Sequence, residues 1–167
     1  MRQDDDYFES VYREYYPDIY RFAFSYVKRK EVAEDIAQDI FFEFYLHAPK
    51  DKRNIKSFLL KTTRNRCLDL IRKEKRTKEA QRQYETMRIE DGKRAELSEN
   101  EDIIFLSLSK IPKKYQEPIR FFYYGDMTVK EIALLLLISE EAVRKRLQRG
   151  REYLKTLLEG EKENDNR

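Results

Sequence analysis

Only four glycines and four prolines interrupt 167 residues, and apolar side chains recur at the three-to-four spacing that one buried helical face requires. The chain is therefore expected to be all-α. Phe8, Val11, Tyr12 and Tyr15 mark a first amphipathic helix. Pro17 suits the opening turn of a second, which buries Ile19, Phe22, Ala23, Tyr26 and Val27. A third helix is expected from about residue 31 to 45. A fourth starts near Ile55 and ends in the basic run 72–78, where cations also suit the negative end of the helix dipole.

The pattern changes between 77 and 102. That stretch holds eight acidic and five basic residues with few large apolar ones, so it reads as a solvated linker. Beyond it, helices are expected at 103–110 and from Pro112 to about Tyr124, followed by a turn at Gly125-Asp126 and a helix-turn-helix. The expected architecture is two small helical domains joined by a flexible polar linker: 1–76, linker 77–102, and 103–160 containing the helix-turn-helix, with a disordered tail at 161–167.

Charge and rare residues narrow the function. A formal net charge of +3 on a chain that is 40% charged places any nucleic-acid role in local basic clusters rather than in overall charge. One cysteine, Cys67, leaves no internal disulfide and fits a reducing compartment. One histidine, His47, makes metal ligation poor, and no catalytic residue, metal site or cofactor is expected. The acidic start, Met1-Arg2-Gln3-Asp4-Asp5-Asp6, is unlike a signal peptide. The longest apolar run, Ile132 to Ile138, has seven residues against roughly 20 for a membrane span. A cytoplasmic protein with no direct membrane insertion is expected.

Three segments carry the chemistry. At 100° per residue, Val32, Ala33, Ile36, Ala37, Ile40, Phe41 and Phe44 share one face of the third helix. Glu31, Asp35, Gln38, Asp39 and Phe42 share the other. No Lys or Arg occurs between Glu31 and Leu46, so the acidic face has no cationic partner within its own helix. An acidic stripe with an outward phenylalanine suits docking onto a basic protein surface. The fourth helix is its opposite in charge. Lys56, Lys61, Arg64, Arg66, Arg72, Lys73, Lys75 and Arg76 supply phosphate-binding charge, and Asn65, Thr62 and Thr63 supply neutral groups for bases.

The third segment is written in caps. Thr128-Val129-Lys130-Glu131 has capping-box spacing, and Ser139-Glu140-Glu141-Ala142 opens the next helix. That helix carries five cations in the nine residues from Val143 to Arg151. Arg, Lys and Gln delivered from one side are what reading base edges in a major groove requires.

At these residues the chain resembles the extracytoplasmic-function (ECF) branch of the bacterial RNA polymerase sigma factors, part of the sigma-70 family. The resemblance covers about Phe8 to Leu158. It rests on Ala33-Glu34-Asp35-Ile36-Ala37-Gln38-Asp39-Ile40-Phe41, on Ser57-Phe58-Leu59 with Arg64-Asn65 and Asp69-Leu70-Ile71-Arg72, and on Thr128 to Ala133 with Val143 to Arg149. It implies a promoter-specificity factor without enzymatic activity. Glu34, Asp35, Gln38, Asp39 and Phe42 would bind core RNA polymerase. Lys61, Arg64, Asn65, Arg72, Lys73 and Arg76 would hold the melted -10 element, and Thr128, Arg144, Lys145, Gln148 and Arg149 would read the -35 duplex. The implied partners are the clamp and flap regions of core polymerase, promoter DNA and an anti-sigma factor, with the free protein a monomer in a bacterial cytoplasm.

Several positions depart from the family pattern. Leu137 stands where a glycine is usual before Ile138, and Pro118 lies inside the helix that Pro112 starts, so a kink or a restart near Gln116 is expected. Four consecutive leucines, 134–137, exceed what one buried face needs, so at least one should be exposed or covered by a partner. The loop 50–54 is a short substitute for the usual base pocket. Two other function classes make different demands. A helix-turn-helix regulator with an N-terminal dimerisation or ligand domain calls for an apolar dimer seam and for no single-strand-binding helix. A helical metal-dependent hydrolase calls for a second carboxylate or histidine cluster, which the sequence lacks.

Overall fold

The structure, a computed structural model, describes the backbone of residues 2–49, 51–82 and 107–165, and the side chains of 4–49, 51–78 and 107–160. Every element among these residues is helical. The chain divides into two compact units, residues 1–95 and 96–167.

The first unit packs three helices: α1 (Arg2–Val27), α2 (Lys30–His47) and α3 (Ile55–Arg82). α1 corrects the expectation of two helices there. Pro17 lies inside a single helix of 26 residues rather than at the start of a second. A proline removes one backbone hydrogen bond, but the apolar stripe runs unbroken past it from Val11 to Ile19, Phe22 and Ala23, all buried. Tyr12 and Tyr16, one turn apart, both pack on Phe41 of α2, with ring centroids 4.9 and 6.0 Å away. Tertiary burial on both sides of Pro17 outweighs the local preference. α1 ends at Lys28, whose positive φ of 59° lets its N–H reach the Phe24 carbonyl at 3.0 Å. Arg29 then pairs with Glu74, tying the α1–α2 turn to α3.

Ala33, Ile36, Ala37, Ile40, Phe41 and Phe44 of α2 are buried against α1 and against Ile55, Leu59, Leu60 and Cys67 of α3. Cys67 is fully buried, as a small core residue. A 3-10 turn at Lys52–Asn54 starts α3. The Asp51 carboxylate organises it, accepting from the Arg53 backbone N–H at 3.0 Å and from the Arg53 guanidinium at 3.1 Å. The hydrogen bonds from Arg53 hold that carboxyl below the usual carboxylate range. α3 continues to Arg82, through Thr77-Lys78-Glu79-Ala80-Gln81, because nothing in that stretch breaks a helix. The rest of the expected linker, 83–102, lies outside the described residues, as does the first half of the expected helix at 103–110.

The second unit is built from α4 (Lys113–Ile119), a π-helical turn (Arg120–Tyr124), α5 (Val129–Leu136) and α6 (Glu140–Asp165). Its core contains Leu108, Ile111, Tyr115, Ile119, Phe121, Met127, Ile132, Val143 and Leu147. No restart occurs near Gln116: α4 runs on through Pro118, which is buried. The helix then widens, and the Gly125 N–H reaches five residues back to the Arg120 carbonyl at 3.0 Å. α6 extends into the stretch read as a disordered tail, since Glu161-Lys162-Glu163 are strong helix formers.

The turn between α5 and α6 forms without glycine. Leu137 adopts φ 56°, ψ 42°, and its N–H and that of Ile138 both return to the Ala133 carbonyl, closing the helix by the left-handed route. Leu134 and Leu137 are the exposed members of the leucine run, at 69% and 91%. A left-handed backbone costs a residue with a Cβ about 1–2 kcal/mol. Leu137→Gly should therefore raise the stability of the second unit by about 1 kcal/mol, seen as a higher thermal midpoint. An unchanged or lower midpoint would mean that Leu137 is packed rather than strained.

Candidate functional site

The acidic face of α2 is exposed as its spacing implies. Glu31, Asp35, Gln38, Asp39 and Phe42 lie within about 100° of the helix circumference. All five are exposed, Phe42 at 64%. Glu34 sits at the edge of this face and is only half-exposed. Its carboxylate lies beside Tyr16 and Tyr20 of α1, and after burial, the larger cause, it helps to push both phenols up. Asp39 has a partner invisible to a reading of α2 alone: Arg66 of α3 reaches its carboxylate at 3.0 Å. Asp35 carries no ion pair among the described residues.

α3 turns the other charge outward. Lys61, Asn65, Arg72 and Arg76 fall within about 60° of one another around the helix and all are exposed. Lys73 is exposed on one flank of this strip, and Arg64, half-buried on the other, donates to the Asn65 side-chain oxygen at 3.4 Å. Asp69 lies on the same strip and pairs loosely with Arg72 at 3.7 Å. The opposite side of α3 is seated in the core by Leu59, Leu60, Thr63 and Cys67. Two internal bonds, from the Thr62 and Thr63 hydroxyls to the carbonyls of Phe58 and Leu59, occupy both threonines. Thr63 is fully buried and Thr62 half-buried, which leaves Asn65 the most exposed neutral group of the three.

In the second unit the expected caps form. The Thr128 hydroxyl accepts from the Glu131 N–H at 3.2 Å, and the Glu131 carboxylate accepts from the Thr128 N–H at 2.8 Å, so two otherwise orphaned donors are satisfied reciprocally. Ser139 caps α6 by accepting from the Ala142 N–H at 3.0 Å. With Val143, Leu147 and Gly150 buried, Arg144, Lys145, Gln148 and Arg149 cover one exposed arc of about 140° on the far side. Arg144 and Lys145 rest on Glu140 and Glu141 one turn earlier, at 3.2 and 3.3 Å. Exposed pairs of this kind are worth only about 0–1 kcal/mol, so a stronger anion can take the cations over.

Arg149 is held differently. Its guanidinium, more than the nearby Lys114 ammonium, holds the Tyr115 phenol of α4 below its ordinary range. Arg151 is likewise tied to an aromatic partner: its Nε donates to the Tyr123 hydroxyl at 2.9 Å, and its guanidinium lies over the Phe122 ring at 5.3 Å. Sequence periodicity counts Tyr115 as core and is silent about its hydroxyl. Among the described residues no cluster of metal-ligating side chains occurs, and no helix is long and apolar enough to cross a membrane.

Two family models match the chain: sigma-70 region 2 over residues 11–77, and sigma-70 region 4 over residues 101–154. The chain is 28% identical over 161 residues to the ECF RNA polymerase sigma factor SigM of Bacillus subtilis, covering 89% of this chain and 93% of that one. It is 28% identical over 174 residues to the ECF sigma factor SigW of the same organism, covering 93% and 90%. A similar solved fold is the sigma factor RpoE in complex with the anti-sigma factor NepR from Bartonella quintana. It has a TM-score of 0.71 at 20% identity, covering 91% of this chain and 96% of that one.

Proposed function

We propose, on the premise that this chain belongs to the sigma-70 family and to its ECF branch, that its three surfaces divide the work of promoter-specific initiation. The protein is a sigma factor: it binds core RNA polymerase and directs it to promoters. The observation that carries the division of labour is the ordering of surfaces along the chain. An acidic stripe on α2 and a cationic strip with Asn65 on α3 lie in the region 2 match, and a doubly capped helix-turn-helix lies in the region 4 match.

In this reading Glu34, Asp35, Gln38, Asp39 and Phe42 dock on a basic surface of the polymerase clamp. Lys61, Arg72, Lys73 and Arg76 bind the phosphates of the opened -10 strand, while Asn65, steadied by Arg64, addresses its unpaired bases. Taking a base out of the stack costs a few kcal/mol, and binding of the open strand offsets that cost, so no bond-making residue is required. Arg144, Lys145, Gln148 and Arg149 face the -35 duplex. There Arg suits guanine and Gln suits adenine, each good bidentate pair discriminating by roughly 1–3 kcal/mol. Thr128, exposed at the start of α5 that its capping box secures, adds a -35 contact at that end of the motif. Ile119, Tyr123, Leu154 and Leu158 line an apolar groove suited to the polymerase flap.

The solved relatives RpoE and CnrH are bound to the anti-sigma factor NepR and to the cytosolic domain of CnrY. By analogy an anti-sigma factor holds this chain until a signal releases it. Reconstitution tests the function itself. The purified chain mixed with bacterial core polymerase should form a stable holoenzyme and start transcripts at defined sites on genomic fragments. Tight binding to duplex DNA without any core binding would instead favour a helix-turn-helix regulator.

A further inference from the structure

An ion pair joins the two charged helices of the first unit. Asp39 belongs to the acidic stripe of α2, and Arg66 lies 27 positions further on, in α3; the guanidinium donates to the carboxylate at 3.0 Å. Around α3, Arg66 falls about 20° from Lys73 and two turns before it, so it carries the cationic flank of that helix toward α2. Both side chains of the pair are more than half exposed. The pair therefore sits at the surface, within reach of other charged groups.

The Asp39 carboxylate then has two competing partners. In the free chain it holds Arg66, and in the docking proposed above it meets a cation of core polymerase. An exposed pair holds by a factor of up to about five, whereas charges brought together inside an interface attract more strongly. Core polymerase wins Asp39, and Arg66 is left with its full charge and a fork of N–H donors open. A phosphate is the anion which that fork fits, because it takes a guanidinium bidentately.

We propose that Arg66 is a further phosphate-binding residue for the -10 strand, held back by Asp39 in the free chain and released when core polymerase docks. This rests on the readings that Asp39 docks on core polymerase and that α3 meets the opened strand. Docking and strand binding are thereby coupled through one side chain. By linkage the coupling runs both ways: docking frees the arginine for the strand, and a bound strand leaves Asp39 more available to core.

Two titrations of the full chain test the role. In the first, labelled core polymerase is titrated without DNA. Arg66→Ala removes the competitor and should raise core affinity about two- to fivefold, and in an Asp39→Asn background the same substitution should change nothing. In the second, the reconstituted holoenzyme is titrated with the single-stranded -10 segment of a promoter that it melts. There Arg66→Ala should weaken binding about three- to tenfold and lower the slope of log affinity against log salt by about 0.7, while Arg66→Lys, which keeps the charge, should keep the wild-type slope. An unchanged or lowered core affinity in Arg66→Ala would overturn the competition for Asp39, as would an equal gain with Asp39→Asn in place. A wild-type salt slope in the Arg66→Ala holoenzyme would overturn the phosphate contact, and so would a loss that tracks a lowered thermal midpoint and persists in Arg66→Lys. If Asp39→Asn alone leaves core affinity intact, the docking reading of Asp39 fails, and the release of Arg66 fails with it.

Discussion

Asp35→Lys with Asp39→Lys should abolish binding to core polymerase while the first unit stays folded. Each substitution turns an attraction for a basic surface into a repulsion, and removing even one partner of a close interfacial charge pair costs about 2–5 kcal/mol. The combined loss should exceed about a hundredfold. The structure separates the two positions. Asp39 also pairs with Arg66, both side chains more than half exposed, so its reversal sacrifices a surface ion pair worth about 0–1 kcal/mol and sets a lysine beside Arg66. Asp35 has no such partner among the described residues. Asp35→Lys alone should therefore lose most of the core affinity at an unchanged thermal midpoint. Titration of labelled core measures the first quantity and thermal unfolding the second. Unchanged core affinity in the double variant would remove α2 from the interface.

The cationic strip of α3 should respond to charge reversal in a way that distinguishes it from docking. Arg72→Glu with Arg76→Glu should leave holoenzyme assembly intact but lower open-complex formation at least about a hundredfold, since two phosphate contacts become two repulsions. The dependence on salt is the sharper readout. Each lost phosphate contact on a single strand lowers the slope of log affinity against log salt by about 0.7, so the two together should lower it by about 1.4. Among the described residues Arg72 pairs only with the exposed Asp69, at 3.7 Å, so its substitution disturbs little else there. A normal open complex with an unaltered salt slope would mean that this strip faces solvent.

Much of this arrangement is legible in residue spacing because helices display it directly. The two faces of α2 follow from a 3.6-residue period, and Phe42 emerges on the acidic side where that period puts it. The caps Thr128 and Ser139 are equally plain, since a capping bond spans three residues and involves no distant partner. Pro17 shows the limit of local rules. Its preference for a first helical turn is real, but burial of Val11, Ile19 and the Tyr12–Phe41 contact on both sides carries the helix through it. Long-range pairs are the other blind spot. Asp39 meets Arg66 across 27 positions, and Arg151 meets Tyr123 across 28, so neither is visible until the helices are packed.

Permanganate footprinting of the reconstituted holoenzyme tests the division of labour most directly, because it reports unpaired thymines on the same fragment whose upstream duplex can be probed for protection. The account predicts reactive thymines at the -10 element together with protection of the -35 duplex. Both should require the chain and core polymerase together. Arg72→Glu with Arg76→Glu should erase the reactive thymines while -35 protection persists. Protection of duplex DNA by the chain alone, with no unpaired thymines when core polymerase is added, would contradict it.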